Sequence, residues 1–440
     1  MLSIRGVYTA LIVCAVCGGG TMTVRAQNDF PADTSIAVSL EEIVDSVRAR
    51  NPGLHASHLA AEIHLQRERE VSLPDPSVSF SYLPRPVFTA RGSQKWILRG
   101  ELDLPFPGKI RREKNVALTD AAAASFAAAE LENQLVFEAK RTYYRLYRID
   151  RQLQLAREFQ DRLTNFEEAA TALYEVGLGH QQEILKSQLE RSNLDATIAA
   201  LEADRRTAEK VLARLQNDDR PVRIEPTGMF ELRDPPNVPS DVIVDSAMIR
   251  RPEVALVDAL TRSKEAEIAL AKRAWLPDLG LHVSYIGVAP EPIPIAADGR
   301  DALMLGATVR IPLFGGNRNT GVAGAEIEKL QLEFDRIAIE TDVRTRVDDL
   351  TSRIERESEQ MRLLSESLIP QSRTTVEVAL SDYTTGRAGF LDLLDAERTL
   401  FSFRNKLEET IERYAVAIAE LERTVGASMS TFTEAGEEKQ

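Results

Sequence analysis

Cysteine is almost absent from this chain of 440 residues. Only Cys14 and Cys17 occur, and both lie in an N-terminal segment that we predict is removed on export. The remaining chain has no thiol, which excludes disulfide bonds, zinc-thiolate sites and a cysteine nucleophile. The exported protein is therefore expected to fold without covalent cross-links.

The N-terminal segment has the composition of a secretory leader. An apolar run follows Arg5, three glycines at 18–20 end it, and Val24-Arg25-Ala26 provides a cleavage site before Gln27. The run is shorter than the roughly 18 apolar residues of a membrane anchor. We predict cleavage after residue 26. Cleavage before a cysteine, which would attach a lipid, is the alternative, although valine stands where a lipobox has Gly, Ala or Ser.

Basic charge and catalytic motifs are also scarce. Lys and Arg number 54 against 68 Asp and Glu, and the net charge of -14 does not suit a nucleic-acid partner. The sequence has no Gly-rich phosphate loop, GxSxG elbow or HExxH zinc motif. His55, His58 and His64 fall on one early helix, but His64 lies on a different face of it. We predict no catalytic site, no cofactor and no metal site.

Glycine and proline are missing from two long stretches. Residues 109–176 number 68 and contain neither, which predicts a helix on the order of 100 Å long at about 1.5 Å per residue. Residues 180–220 are also free of both and predict a returning helix. Apolar residues recur every three or four positions, the spacing of a coiled-coil seam. In the second half, a helix from residue 325 meets Pro370, which we expect to kink or interrupt it.

Four short motifs occur twice, in the same order. They are Asn51-Pro52 and Arg251-Pro252; Leu73-Pro74-Asp75 and Leu276-Pro277-Asp278; Leu104-Pro105-Phe106-Pro107-Gly108 and Ile311-Pro312-Leu313-Phe314-Gly315; and Tyr174-Glu175-Val176-Gly177 and Tyr383-Thr384-Thr385-Gly386. The second copy follows the first by 203 residues at the second motif, 207 at the third and 209 at the fourth. This regular spacing predicts an internal repeat.

The repeat divides the chain into five predicted segments. Residues 1–26 are the signal peptide. Residues 27–216 form repeat one, with strands near 77–104 and a helical hairpin whose tip lies near 177. Residues 217–240 bridge the repeats. Residues 241–427 form repeat two, with strands near 279–311 and a tip near 386, and residues 428–440 form a flexible tail.

The strand segments alternate apolar and polar residues. Between 96 and 104, one face carries Trp, Leu, Gly, Leu and Leu, and the other carries Ile97, Arg99, Glu101 and Asp103. A charged strand face fits the water-filled interior of a membrane barrel whose other face meets lipid, and a soluble hairpin with one wet face is the other interpretation. Four strands cannot close a barrel, which needs about eight, so three copies would supply twelve. We expect turns at 84–93 and 288–300.

At the second hairpin tip the sequence resembles the TolC-like outer-membrane efflux factors. The resemblance is carried by Tyr383-Thr384-Thr385-Gly386 followed by Phe390-Leu391-Asp392-Leu393-Leu394-Asp395-Ala396, with support from the first turn and the strand exits. It covers about residues 40–426 and implies a mainly α fold with a membrane β-barrel portion. In that family three chains, each contributing four strands, form a twelve-stranded trimeric barrel above a long periplasmic α-helical tube.

The resemblance also implies a gate at the narrow end of the tube. Threefold symmetry would turn Asp392 and Asp395 into two rings of carboxylates near Tyr383, although acids at a helix N-terminus also have a purely structural explanation. Glu183 stands where the family has an acid that pairs with a basic residue of a neighbouring hairpin. Ala388 occupies the basic position and Arg387 comes one place earlier, so the gate either uses Arg387 differently or is held by packing.

The two turns match the family's adaptor-docking tips, at Val176, Gly177, Leu178, Thr385 and Gly386. Glycine is required there in any case, because two helices reverse through a positive φ angle. Docking to an adaptor is therefore implied by the resemblance alone.

The predicted function is that of a channel subunit in the outer membrane, with a large periplasmic part and no enzymatic activity. It would act as a homotrimer in contact with outer-membrane lipid, with a periplasmic adaptor (membrane fusion) protein and an inner-membrane pump as partners. The strand exit at 104–109 is similar to that of metal exporters and favours small molecules or metal cations as cargo. A duct for type I protein secretion and a soluble periplasmic coiled-coil scaffold are the alternatives.

Overall fold

The computed structural model describes residues 36–177, 179–218, 222–224, 238–290, 299–312 and 316–428. The predicted signal peptide, nearly all of the predicted C-terminal tail, most of the predicted bridge between the predicted repeats and Leu178 lie outside these residues. Within them, the chain is mainly helical, with one four-stranded sheet and one short two-stranded sheet.

The elements follow one another in the order strand, two helices, two strands and two helices, and this order then recurs with the first helix of the last pair divided into α7 and α8. The first series is β1 (Ile36–Val38), α1 (Leu40–Arg50), α2 (Pro52–Glu70), β2 (Ser77–Thr89), β3 (Gly92–Leu104), α3 (Lys109–Glu175) and α4 (Gln181–Gln216). The second is β4 (Val222–Ile224), α5 (Ser240–Arg250), α6 (Pro252–Arg273), β5 (Asp278–Ala289), β6 (Ala302–Arg310), α7 (Gly316–Leu363), α8 (Ile369–Thr384) and α9 (Phe390–Val425).

The larger sheet is antiparallel, with strand order β2-β3-β5-β6. On one face Phe80, Trp96 and Tyr285 stack across three strands, with ring centroids 6.2 and 5.5 Å apart. Valine and leucine side chains on the same face are largely exposed in the single chain. The opposite face carries Arg99 and Glu101, as the alternation predicts.

The turn of the first strand hairpin is shorter than the predicted turn at 84–93. Pairing resumes after an irregularity between Tyr82 and Val87 and continues to Thr89 opposite Gly92. Pro84 and Pro86 explain the irregularity, because proline has no N–H to donate to the ladder. The strand continues past them because proline is tolerated on an edge strand such as β2. The prediction was wrong in treating these prolines as the end of the strand.

Lys109 joins the end of β3 to the start of β5. Its ammonium group donates to the Leu276 carbonyl at 3.0 Å and to the Asp278 carboxylate at 2.7 Å. The same carboxylate accepts the Phe106 N–H at 2.8 Å. Gly108, with φ 89°, reverses the chain so that α3 begins at this point. The two strand hairpins are thus held together where the sheet meets the helices.

Helix α3 is the longest element, with 67 residues, as the absence of glycine and proline predicted. It packs against α2, α4, α6 and α9, while α6 also packs against α7. The helices α2, α3, α6 and α7 therefore follow the order of the strands to which they connect. Within the described parts of the chain, no helix is both long and apolar enough to cross a membrane.

The helical body is held by buried apolar clusters. One joins α5, α7 and α9 around Ile243, Leu350 and Leu421, and another joins α1, α3 and α4 around Ile43, Leu146 and Leu212. The elbow between α1 and α2 is fixed by the buried Asn51, which donates to the Leu215 carbonyl at 2.9 Å and accepts the Leu54 N–H at 3.1 Å. Pro52 follows at the first helical position, where its missing N–H costs no hydrogen bond.

The predicted interruption at Pro370 is present, as a widened turn. Residues 364–368 form one π-helical segment between α7 and α8, and Pro370 lies in the first turn of α8. A π segment leaves carbonyls out of the regular ladder, which accommodates a proline that has no N–H and would crowd the preceding turn. Two predicted helix bounds shift: α7 begins at Gly316 rather than 325, and α4 ends at Gln216, where Asn217 adopts φ 50°.

Candidate functional site at the hairpin tips

Two helical hairpins, α3–α4 and α8–α9, end in similar turns. Gly177 and Gly386 have φ angles of 75° and 73°, and their N–H groups donate to the carbonyls of Tyr174 and Tyr383 at 3.0 Å. A Cβ on either glycine would have no atom within 4 Å. The positive φ angle, and not crowding, is therefore what requires glycine at both turns.

The predicted docking residues lie at these turns. Val176 is exposed to 67% of its surface. Thr385 is also exposed and donates through its hydroxyl to the Ser381 carbonyl at 2.9 Å. Leu178, the remaining predicted docking residue, lies outside the described residues.

An aromatic cluster lies directly behind the second turn. Tyr383 contacts the buried Phe390 edge to face at 5.9 Å, and Phe390 contacts Phe166 of α3 at 6.3 Å. Deeper in the same cluster, Phe159 and Phe401 stack at 4.8 Å. The cluster draws on α3, α4, α8 and α9, so both hairpins share one core near their tips.

Tyr383 packs against this cluster and lies close enough to Glu183 for the charge of that acid to act on it. Among the described residues, the buried hydroxyl has no hydrogen-bond partner. Burial, and next the negative charge of Glu183, raise the pKa of Tyr383 above its usual value. Two of the predicted gate residues, Tyr383 and Glu183, therefore lie near each other although they belong to different hairpins.

Arg387 is held within its own turn. It pairs with Asp382 at 3.0 Å and donates from Nε to the Thr385 hydroxyl at 3.0 Å. Its side chain remains 68% exposed. No ion pair between Arg387 and Glu183 forms among the described residues of this single chain. Within one chain, Arg387 therefore has an acidic partner, Asp382, in its own turn.

Asp392 and Asp395 are both exposed in the first turns of α9. The Asp392 carboxylate accepts the Gly389 N–H at 3.0 Å, so it caps the helix as well as presenting charge. Asp395 lies near Arg398, which pairs with Glu190 of α4. The hydrogen bond from Arg398 to Glu190, with a smaller contribution from Asp395, raises the pKa of the guanidinium. Asp392 is therefore bound to the backbone of the turn, whereas Asp395 has the cation of Arg398 nearby.

Several residues that shape these tips were not predicted. Asp382 neutralises Arg387, Phe390 supports Tyr383, and Glu190 holds Arg398. The position of Asp382, five residues before Arg387 across a Thr-Thr-Gly turn, was a usable signal. The other two contacts join separate elements and leave no local trace in the sequence.

The chain matches a known family and a known fold. The family model described as outer membrane efflux protein matches residues 243–427. Among relatives, the probable outer membrane lipoprotein SilC of Salmonella typhimurium is 22% identical over 68% of this chain. The cobalt-zinc-cadmium resistance protein CzcC of Cupriavidus metallidurans is 22% identical over 55% of this chain. The matched regions span 65% and 55% of those two relatives, less than two thirds of each.

The fold is shared over a larger part of the chain. The open-state structure of the Neisseria gonorrhoeae MtrE outer membrane channel has a TM-score of 0.71 at 20% identity, covering 89% of each chain. The family model, SilC and MtrE are each described as outer-membrane proteins, which confirms the predicted location. The family match over residues 243–427 and the shared fold confirm that this chain resembles the TolC-like outer-membrane efflux factors.

Proposed function

We propose that this chain is one subunit of a passive, gated exit duct in the outer membrane. Three copies would form the duct, and an inner-membrane pump, connected through a periplasmic adaptor protein, would supply the transport energy. The observation that carries the proposal is that a sheet suited to a membrane connects directly to a very long helix. A four-stranded sheet with an exposed apolar face continues into α3, a helix on the order of 100 Å long.

The sheet supports a barrel shared among chains. Four strands are too few to close, since a barrel needs about eight. The exposed Phe80, Tyr82 and Leu305 would be costly in water but favourable against lipid, while Arg99 and Glu101 on the other face would line an aqueous interior. Three chains give twelve strands, the number that we propose.

The helices support the same assembly. In the row α2, α3, α6 and α7, the two end helices carry exposed apolar side chains, with Leu59 and Ile63 on α2 and Ile327, Leu330, Phe334 and Ile337 on α7. The spacing of three and four residues is that of a helix-packing stripe. A second copy of the chain would cover both stripes, with α7 of one copy beside α2 of the next.

The duplicated order of elements supports the proposed internal repeat. Each half runs through an elbowed helix pair, a strand hairpin and a long helical hairpin. We propose 27–216 and 241–427 as the two repeats, with the bridge at 217–240 and the signal peptide and tail at the ends. Six such units in a trimer would give a tube wall built from equivalent hairpins.

We place the gate and the docking surface at the hairpin tips. In a trimer Asp392 and Asp395 would form rings of exposed carboxylates, and Arg387, held by Asp382, would lie on the rim. The exposed Val176 and Thr385 beside the two tip glycines offer the adaptor a small apolar surface at each turn. Leu178 completes this proposed surface.

Small molecules or metal cations are the cargo that we propose. The relatives include a protein named for cobalt, zinc and cadmium resistance and others named for toluene and antibiotic efflux. A duct for type I protein secretion is the second candidate, because the same architecture could carry an unfolded polypeptide.

Fractionation and native mass spectrometry test the assembly. The chain, expressed with its leader and extracted from outer membranes in detergent, is expected to have the mass of three mature copies. A protein that stays in the periplasmic fraction and remains monodisperse without detergent would contradict the duct. That result would instead support the soluble coiled-coil scaffold.

A further inference from the structure

Both edges of the four-stranded sheet are open in the single chain. Among the described residues, β2 pairs only with β3, and β6 pairs only with β5. We propose, building on the proposed trimer, that β6 of one copy pairs antiparallel with β2 of the next in one defined register, with Thr308 opposite Ser79. The open edges alone do not specify that register, but the internal repeat does.

The offsets of the repeated motifs can be checked within the sheet. The motif before β2 recurs 203 residues later before β5, and the motif after β3 recurs 207 residues later after β6. In the first hairpin Val78 pairs with Gly100. Moving each residue by its own offset gives Leu281 and Ala307, and these two residues are partners in the second hairpin. The offsets therefore convert the strand pairing of the first hairpin into the observed strand pairing of the second hairpin, without a shift of even one residue.

The same rule predicts the contact between copies. The junction of β3 with β5 joins the second strand of one hairpin to the first strand of the next, and Glu101 pairs there with His282. Moving Glu101 forward by 207 gives Thr308, and moving His282 back by 203 gives Ser79. The junction between copies would thus repeat the junction already present inside each chain.

The two faces of the sheet provide an independent check. Strand side chains alternate between faces, so a slip of one residue would place lipid-facing groups in the aqueous interior. In the proposed register Leu305 lies opposite Tyr82 and Val309 opposite Val78, which are exposed apolar residues on one face. Arg310 lies opposite Ser77 on the other face. The register derived from the offsets thus places apolar residues opposite apolar residues on one face and polar residues opposite polar residues on the other. The character of the side chains was not used to derive it.

Proline also agrees with the extent of the proposed pairing. The register brings Leu303, next to the first residue of β6, opposite Pro84. Proline has no N–H for the ladder and is confined to edges and strand ends. Pairing between copies would end where β6 begins and where β2 loses its donor.

Cysteine cross-linking tests the register, since both native cysteines lie in the predicted leader. The variant Ser79→Cys with Thr308→Cys would be oxidised in outer membranes, or treated with a short bifunctional thiol reagent, and separated on non-reducing gels. Opposite Cβ atoms lie about 5 Å apart, while diagonal neighbours lie about 7–8 Å apart. Within one chain β3 and β5 keep the strands β2 and β6 about 14 Å apart, so a cross-link has to join two copies.

Two matched pairs serve as controls, Ser79→Cys with Gly306→Cys and Ser79→Cys with Arg310→Cys. They keep the face and shift the register by two residues in either direction. We expect the Thr308 pair to give at least about fivefold more covalent trimer than either shifted pair, because only it is directly opposite. Each single-cysteine variant should remain monomeric on the same gels.

The outcomes separate this register from the proposed function. Stronger cross-linking of a shifted pair would overturn the register and leave the shared barrel intact. No cross-linking in any pair, in protein that is trimeric by native mass spectrometry, would show that β2 and β6 do not meet. Protein that never reaches the outer membrane would contradict the proposed function itself.

Discussion

Two acids of α9 face α3 and differ in how their charge is balanced. Glu397, with 5% of its side chain exposed, accepts two hydrogen bonds from Arg162, at 2.9 and 3.2 Å. Glu408 is also buried, but its single bond from Arg151 is long, 3.3 Å, and its second oxygen has no partner among the described residues. A buried charge is stabilising only where it is well paired.

The unpaired oxygen makes the stability of the protein pH-dependent at Glu408. Burial raises its pKa above the ordinary value for glutamate, against the weaker opposing effect of Arg151 and Arg404. A group whose pKa is raised by folding favours the folded state in its protonated form. Its stabilising effect is present below the unfolded pKa and is lost as the pH rises through the folded pKa.

We therefore expect Glu408→Gln to stabilise the protein at pH 8, by about 1 kcal/mol. Glutamine keeps the size and the acceptor for Arg151 and removes the buried charge. Thermal denaturation in detergent at pH 4 and pH 8 measures the effect, which should be small at pH 4. Glu412→Gln, which deprives Arg148 of its acid, is the control and should destabilise. A Glu408→Gln protein that is less stable than the wild type at pH 8 would contradict this account.

At the scale of the elements, α3 and α9 run side by side and are joined by ion pairs along their length. The pairs are Lys140–Glu422, Arg148–Glu412, Arg151–Glu408, Arg404–Glu158 and Arg162–Glu397. In each of these pairs an acid of one helix meets a cation of the other. The series fixes the relative register of the two helices in addition to the apolar core near the tips.

Arg162→Met tests the pair whose acid is the most buried of the five. It leaves Glu397 buried without a cation, and we expect a loss on the order of 2 kcal/mol, below the usual range for buried pairs because Arg162 is partly exposed. Adding Glu397→Gln should restore most of the loss. Arg157→Met is the matched control, since its pair with Glu202 is exposed and should be worth less than about 1 kcal/mol. Equal melting temperatures for Arg162→Met and Arg157→Met would show that the buried pair is not stabilising.

Elements were more predictable from the sequence than contacts. The length of α3 followed from 68 residues without glycine or proline, and the break before α8 followed from Pro370. The strand through Pro84 was missed because its tolerance depends on β2 being at the sheet edge, which is a tertiary property. The partner of Arg387 was missed because its spacing from Asp382 indicates a pair only once the turn between the two residues is recognised. Pairs such as Arg162 with Glu397, 235 residues apart, leave no local pattern.

At the scale of the whole molecule, symmetry gives the tip residues their proposed role. One chain presents Asp392 and Asp395 as two exposed acids, and three chains would present six around one axis. Rings of carboxylates at a constriction favour cations and bind divalent ions. Charge at the tip should therefore control which ions pass through the closed duct.

Asp392→Asn with Asp395→Asn should reduce cation selectivity and relieve block by divalent cations. Asparagine can still accept the Gly389 N–H, so the first turn of α9 should persist. Reversal potentials in a salt gradient across planar bilayers measure the selectivity. Glu175→Gln, which removes an exposed acid next to the other tip, should change it much less. Unchanged selectivity in the double variant would contradict the proposed rings.

The central claim is that three of these chains enclose one water-filled path. Single-channel recording of the detergent-extracted protein in planar bilayers tests it most directly. We predict discrete openings of small, cation-selective conductance, because the exposed acids would constrict the end of an otherwise wide duct. Insertion of trimers without any conductance step, or failure of the protein to insert at all, would contradict the account.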